Sequence, residues 1–261
     1  MKKILLFLTL FVMGTLSSVQ AHPYTDSADF SAVCSSGQVL YYKIVDFGEV
    51  YVWYQEEYPE MLGGFINVPR TVRYNGDNYV VTGIGDGCFS NCIRIQGVTL
   101  PTTMFNIGAA AFAHCTDLRF IEMPKTLAVI GARAFEDCTS LIDVVMPNSV
   151  WELGAYAFKD CVNVRHFVIS HGLTVIPEGC FENCASVTDY LIPANITTFG
   201  CGAFAGYAKL SSVLFLGTVP PTPACTSEPA FGREIPITVT RQAFDAYKAS
   251  YIWGQYTIKS M

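Results

Sequence analysis

The chain has 261 residues, 51% of them hydrophobic and 13% aromatic, with 16 Lys and Arg against 22 Asp and Glu and a net charge of −6. So much apolar material supports a buried core and argues against a disordered chain. The acidic balance, with no cluster of Lys and Arg, excludes the phosphate-binding surface that a nucleic-acid partner needs.

In chain order, Lys2 and Lys3 precede the apolar run "ILLFLTLFVM" from Ile4 to Met13, and "GTLSSVQA" follows with Val19 and Ala21 spaced as a small-residue cleavage site. Residues 1–21 therefore read as a secretory signal peptide, with His22 as the expected mature start. The run is about half the length of a membrane span, so no transmembrane segment is expected. Residues 22–83 read as an N-terminal β cap. "VLYYKIVDFGEVYVWYQ" has the pattern of paired strands, and "FINVPRTV" that of a degenerate first repeat, with Pro69 standing where Pro101 stands later. In "YNGDNY", Asn75-Gly76 is the pair that a tight type I′ hairpin turn requires.

From Ile84, steps of 23 residues land on Ile107, Ile130, Leu153, Ile176 and Phe199 without an insertion or deletion. Residues 84–216 are thus six repeats, and a fixed period of this kind marks a solenoid. Phe recurs at 89, 112, 135, 158, 181 and 204, and Cys at 92, 115, 138, 161 and 184. Within a repeat, counting its first residue as position 1, positions 15 and 17 are apolar, as in Ile121 and Met123, which places them on the inward face of a strand. Proline ends the strand at 101, 124, 147 and 193, and one more apolar residue follows (Met104, Leu127, Val150, Leu173, Ile196). "AFxxC" then suits a single helical or 3₁₀ turn with one inward face. The Gly of each "IG" is explained better by close packing than by a left-handed backbone, because Pro177 fills that slot in the fifth repeat. Residues 217–261 read as a C-terminal cap. It has a proline-rich connection, a strand "IPITV", a helix capped by Thr240 with Phe244 and Tyr247 inward, and Trp253 as a plug.

The pattern C-x-x-L-x-x-V-x-L-P with I-G-x-x-A-F resembles the BspA-like family of bacterial leucine-rich repeat proteins over about residues 65 to 215. It departs from commoner leucine-rich repeats, where Asn follows the strand and here Pro does. The expected fold is a leucine-rich-repeat solenoid: a parallel β-sheet on one face, short helical or 3₁₀ turns, a β-rich N-terminal cap and a mixed α/β C-terminal cap. The resemblance implies a secreted or surface-associated adhesion protein whose partners are proteins or glycans, host extracellular proteins among them.

Ten cysteines in an exported chain invite a disulfide framework. Five of them share one repeat position, point the same way and alternate with Tyr207, so they read as small buried hydrophobes. Cys34, Cys201 and Cys225 are the better disulfide candidates, with their pairing open. Metal binding is not expected: Cys88 with Cys92 and Cys180 with Cys184 have helical spacing, but the four histidines do not complete a site. No catalytic residue or cofactor motif is found, since Cys115 and His114 are neighbours whose side chains diverge and no GxSxG, Walker loop or HExxH occurs. The chain reads as a non-enzyme.

That leaves the outward strand face, positions 14 and 16, as the candidate ligand-binding surface. Phe120, Glu122, Asp143, Val145, His166, Val168, Asp189 and Leu191 form it, together with Arg119 just before Phe120. Val145, Val168, Leu191 and Leu214 make an apolar strip that either meets a partner or lies under the C-terminal cap. The function expected first is recognition of a macromolecule through this face; the alternative is an envelope or spacer component that binds copies of itself.

Overall fold

A computed structural model describes residues 27–53, 62–225, 231 and 234–261. The signal-peptide reading and part of the proline-rich connection lie outside the described residues. The chain is a parallel β-solenoid with antiparallel strands at its N-terminal end.

The first strands are β1 (Phe30–Val33), β2 (Val39–Asp46), β3 (Glu49–Trp53), β4 (Gly63–Asn67), β5 (Thr71–Tyr74), β6 (Asp77–Ile84) and β7 (Arg94–Thr99). β1, β2 and β3 pair antiparallel, and β3 pairs parallel with β6, which starts the array. Asn75 and Gly76, both at positive φ, make the turn between β5 and β6 as expected. β4 pairs parallel with β7, so the degenerate repeat is the first turn of the coil.

From there two strand ladders alternate along the chain. The short one contains β8 (Asn106–Ile107), β10 (Val129–Ile130), β12 (Glu152–Leu153), β14 (Val175–Ile176), β16 (Thr198–Phe199) and β18 (Thr222–Pro223). The strand face contains β9 (Phe120–Glu122), β11 (Asp143–Val145), β13 (His166–Val168), β15 (Asp189–Ile192), β17 (Ser212–Phe215), β19 (Ile237–Val239) and β20 (Ile258–Ser260). Prolines 101, 124 and 147 follow β7, β9 and β11 by one residue, and Pro193 follows β15 directly, ending the ladder where an amide is missing.

The third side of each coil, expected as a helical or 3₁₀ turn, is a chain of linked turns. Amides at positions 5, 7 and 9 bond three residues back, as in Ala111 N to Gly108 O, Ala113 N to Ala110 O and Cys115 N to Phe112 O. Those at positions 4, 6 and 8 bond across to the next repeat, as in Ala110 N to Ala132 O, Phe112 N to Ala134 O and His114 N to Glu136 O. The 3₁₀-type bonds never join into a helix because positions 4 and 8 are left-handed in every repeat: Gly87, Ala110, Arg133, Tyr156, Gly179 and Gly202, then Asn91, His114, Asp137, Asp160, Asn183 and Gly206. The Gly of "IG" is held by packing, as expected. A Cβ on Gly131 would lie 2.5 Å from Ala109 N, and one on Gly154 or Gly200 would also run into the backbone of the preceding repeat.

The core is a column of stacked phenylalanines. Ring centroids of Phe89, Phe112, Phe135 and Phe158 are 5.1, 5.3 and 5.1 Å apart, and all four side chains are buried. Beside them runs the thiol column, also buried. From the second repeat on, each thiol of the column donates to the carbonyl of the Phe one repeat earlier: Cys115 Sγ to Phe89 O at 3.0 Å, Cys138 to Phe112 O at 3.1 Å, Cys161 to Phe135 O at 3.1 Å and Cys184 to Phe158 O at 3.2 Å. Tyr207 keeps that bond when it replaces the last cysteine, its hydroxyl donating to Phe181 O at 2.7 Å. These positions therefore select a donor as well as a small hydrophobe.

At the C-terminal end, Cys201 pairs with Cys225 in a disulfide, while Cys34 stays free and buried. Helix α1 (Phe244–Ala249) buries Tyr247, with Phe244 half-buried. Its N-cap is Ala243, not Thr240: Thr240 supplies only its carbonyl, to Ala243 N, while its hydroxyl is buried without a partner among the described residues. Trp253 closes the core as expected, its indole Nε1 donating to Pro221 O at 2.7 Å.

Candidate interaction surface

Strand alternation decides which residues line the strand face. Position 15 is Val98, Ile121, Val144, Phe167, Tyr190 and Val213, which face the core, with Ile121 half-buried. Arg119, Phe120, Glu122, Asp143, Val145, His166, Val168, Asp189 and Leu191 are all exposed. Pairing sets them in rows: Asp143 beside His166, Val145 beside Val168, Asp189 beside Ser212, Leu191 beside Leu214. Arg119, just before β9, is held by its backbone, its amide on Gln96 O and its carbonyl accepting from Ile142 N.

The apolar strip is not buried under the cap. Val145 is 61% exposed, Val168 47% and Leu191 43%, while Leu214 is half-buried beside Thr238 of β19. Next to it, position 14 carries Asp143, His166 and Asp189, with Thr188 Oγ1 donating to Asp189 Oδ2 at 2.8 Å.

Toward the N-terminus the two columns exchange character. Position 14 there is Phe65, Gly97 and Phe120, and position 16 is Asn67, Thr99 and Glu122. Phe65 was not among the expected site residues. It is 59% exposed and Phe120 44%, and their rings meet over Gly97 with centroids 5.8 Å apart. A Cβ on Gly97 would lie 2.5 Å from the Phe120 ring and 3.0 Å from that of Phe65, so only glycine lets the two rings close over the middle strand. The face thus carries an apolar path that runs along position 14 as aromatics and crosses to position 16 as Val and Leu. The signal for Phe65 was present, since Pro69 and Pro101 align the two segments and put Phe65 opposite Gly97.

Burial disfavours the thiolate form of the repeat thiols. Burial pushes Cys92 up to about 12 and raises Cys88, Cys115, Cys138, Cys161, Cys180 and Cys184 as well. A thiol held protonated is unreactive. Cys115 and His114 do diverge: the thiol points to Phe89 O, while His114 Nδ1 lies 3.2 Å from Asp137 Oδ2 in the next repeat. Among the described residues, no three His, Cys, Asp or Glu side chains are grouped as metal ligands, and no helix is long and apolar enough to cross a membrane.

The family profile "BspA type Leucine rich repeat region" matches residues 81–219 in six copies. Among solved structures, a leucine-rich repeat protein from Bacteroides ovatus is 17% identical, with a TM-score of 0.50, over 85% of this chain and 75% of that one. A leucine rich cell surface protein from Faecalibacterium prausnitzii is 19% identical, with a TM-score of 0.57, over 83% and 72%. The T. pallidum leucine rich repeat protein is 26% identical, with a TM-score of 0.50, over 66% and 87%. No curated protein matches the chain.

Proposed function

The chain belongs to the BspA-type leucine-rich repeat family, and from that premise we propose that it is a non-enzymatic, exported recognition protein whose outward strand face binds a macromolecular partner. Proteins or glycans outside the cell, host extracellular proteins among them, are the partners this reading expects. The observation that carries it is the column Val145, Val168 and Leu191, left exposed in register beside Asp143, His166 and Asp189. Fully covering an aliphatic side chain is worth about 1.5–3 kcal/mol, so a strip of three supplies a useful part of an affinity. The polar column beside it would set orientation and selectivity.

Export rests on the leader, with Lys2 and Lys3 ahead of the apolar run Ile4 to Met13. The Faecalibacterium protein of the same fold is described as a cell surface protein, in keeping with that reading.

The test is capture from a host extracellular-matrix extract and from the organism's own envelope fraction, with wild type and with a Phe120→Glu, His166→Glu, Val168→Glu variant that keeps its circular dichroism. Partners retained by wild type and lost by the variant are expected; unchanged capture of every partner would sink the assignment of this face. The alternative, an envelope or spacer component that binds itself, predicts sedimentation that rises with protein concentration in wild type alone.

A further inference from the structure

One junction of the solenoid is built differently from the rest. Between most repeats, backbone bonds recur at three places outside the linked turns. Position 13 bonds across in Arg119 N to Gln96 O, Ile142 N to Arg119 O, Arg165 N to Ile142 O and Ser211 N to Thr188 O. Position 22 does so in Phe105 N to Thr82 O, Ala128 N to Phe105 O, Trp151 N to Ala128 O and Thr197 N to Thr174 O. Position 2 does so through the "IG" glycines, Gly108, Gly131, Gly154 and Gly200. Along the one coil boundary that runs from the end of the third repeat to the strand of the fifth, one bond of each kind is absent among the described residues: Thr174 N makes none to Trp151 O, Pro177 has no amide for Leu153 O, and Thr188 N makes none to Arg165 O, while Thr197 N to Thr174 O still joins the fourth and fifth repeats further on. There β13 pairs only with β11 and β15 only with β17, and β12 does not pair with β14.

The cause lies in a few residues. Pro177 has no N–H to give Leu153 O, and it puts a ring where the other repeats have no room even for a Cβ. Behind it, Phe167 and Tyr190 fill position 15, which is Val or Ile in the other four repeats. The Phe167 ring packs edge-on to Phe158 and Phe181, and the stacking distance between those two opens to 6.1 Å. Ser170 replaces the proline after the strand and turns back toward the third repeat, donating to Val150 O at 2.6 Å.

The turn side compensates at the same junction. Tyr156, Phe158 and Asp160 keep their amide bonds to Glu178 O, Cys180 O and Glu182 O. Side chains add to them: Tyr156 Oη donates to Glu178 Oε1 at 2.5 Å, Asn183 Nδ2 to Asp160 Oδ1 at 2.7 Å, and Lys159 Nζ lies 3.4 Å from Glu182 Oε1.

We infer that the junction between the fourth and fifth repeats is a hinge, fastened along the turn side by these bonds and free to open along the two strand ladders, where Pro177 removes one bond and the others are missing beside the bulky Phe167 and Tyr190. Opening moves Val145 and Val168 relative to Leu191 and Leu214, so the strand face changes curvature at the middle of its apolar strip. A packed element with two arrangements is the usual substrate of such motion.

The test is the distance between nitroxide labels on the full chain, in a Glu122→Cys, Leu191→Cys pair that spans this junction and an Asn67→Cys, Val145→Cys pair that spans three others. All four sites are exposed, and wild type treated with the label serves as the control for the buried thiols. The crossing pair is expected to give a distribution roughly twofold broader, and Pro177→Gly in that background to narrow it. Equal widths in the two pairs would overturn the hinge. A broad distribution that Pro177→Gly leaves unchanged would overturn its placement at this junction, and if that variant does not fold, the comparison of widths decides alone.

Discussion

The turn side and the strand side of this solenoid are made from the same 23-residue period, yet they spend it differently. On the turn side every other amide bonds to the next repeat, the Phe rings stack beneath, and from the second repeat on a thiol or phenol ties each repeat to the one before. On the strand side the outward positions change from repeat to repeat, and the pairing is interrupted between β9 and β11 and between β13 and β15. Identity is retained where each side chain must fit against its own copy, and variation is allowed where the side chain meets solvent. The turn side therefore carries the stability, and the strand side is available for recognition.

The largest effect should come from breaking the turn-side column. Phe135 is buried between Phe112 and Phe158, with centroids at 5.3 and 5.1 Å, and neither neighbour can close a gap without dragging its own repeat. Phe135→Ala should cost about 3–5 kcal/mol, read as a lower urea midpoint at unchanged slope. A loss below about 1 kcal/mol would mean that the repeats repack freely, against the division of labour argued above.

Much of this division was legible in the sequence, because a column of identical residues at a fixed spacing needs no knowledge of backbone angles. Phe112 and Cys115 were placed correctly by repetition alone, and strand alternation put Val144 in and Val145 out. The linked turns were less accessible. Position 8 reads Asn91, His114, Asp137, Asp160, Asn183 and Gly206, the residue types that most tolerate a left-handed backbone, and this was a usable signal. Position 4 hides the same conformation under Ala110, Arg133 and Tyr156, which are held there by the amide ladder and have no local preference for it. Phe65 escaped because the β5–β6 hairpin is inserted into its repeat and breaks the count. The Cys201–Cys225 pair depends on the meeting of β16 and the β18 segment, which no spacing rule specifies.

A smaller effect follows from the thiols and has a defined pH window. Desolvation raises seven buried thiols above their ordinary value of 9.0, Cys92 to about 12. Below pH 9.0 the thiols are protonated in both folded and unfolded chains, and their contribution is fully present. As pH rises past 9.0 the unfolded chain releases these protons and the folded chain does not, so stability falls until the native thiols also ionise. Urea midpoints should be insensitive to these groups from pH 7 to 8.5 and then drop steeply by about pH 10 to 11. Cys138→Ala should make that drop shallower, and a slope it leaves unchanged would show that the column is not what titrates.

The smallest effect belongs to the strand face, and its smallness is the point. Val144 and Val145 are neighbours in β11, one inside and one out. Val144→Glu buries a carboxylate and should unfold the chain or cost several kcal/mol. Val145→Glu should cost less than about 1 kcal/mol, the whole span of strand propensity. It should nevertheless weaken capture of any partner that wild type retains, because it charges the most exposed residue of the apolar column beside Asp143 and His166. If Val145→Glu destabilises the fold as strongly as Val144→Glu, the strip is part of the core of an assembly and the alternation of roles along β11 is lost. If it changes neither stability nor capture, binding lies elsewhere, and the aromatic pair Phe65 and Phe120 over Gly97 becomes the part of the strand face to charge next.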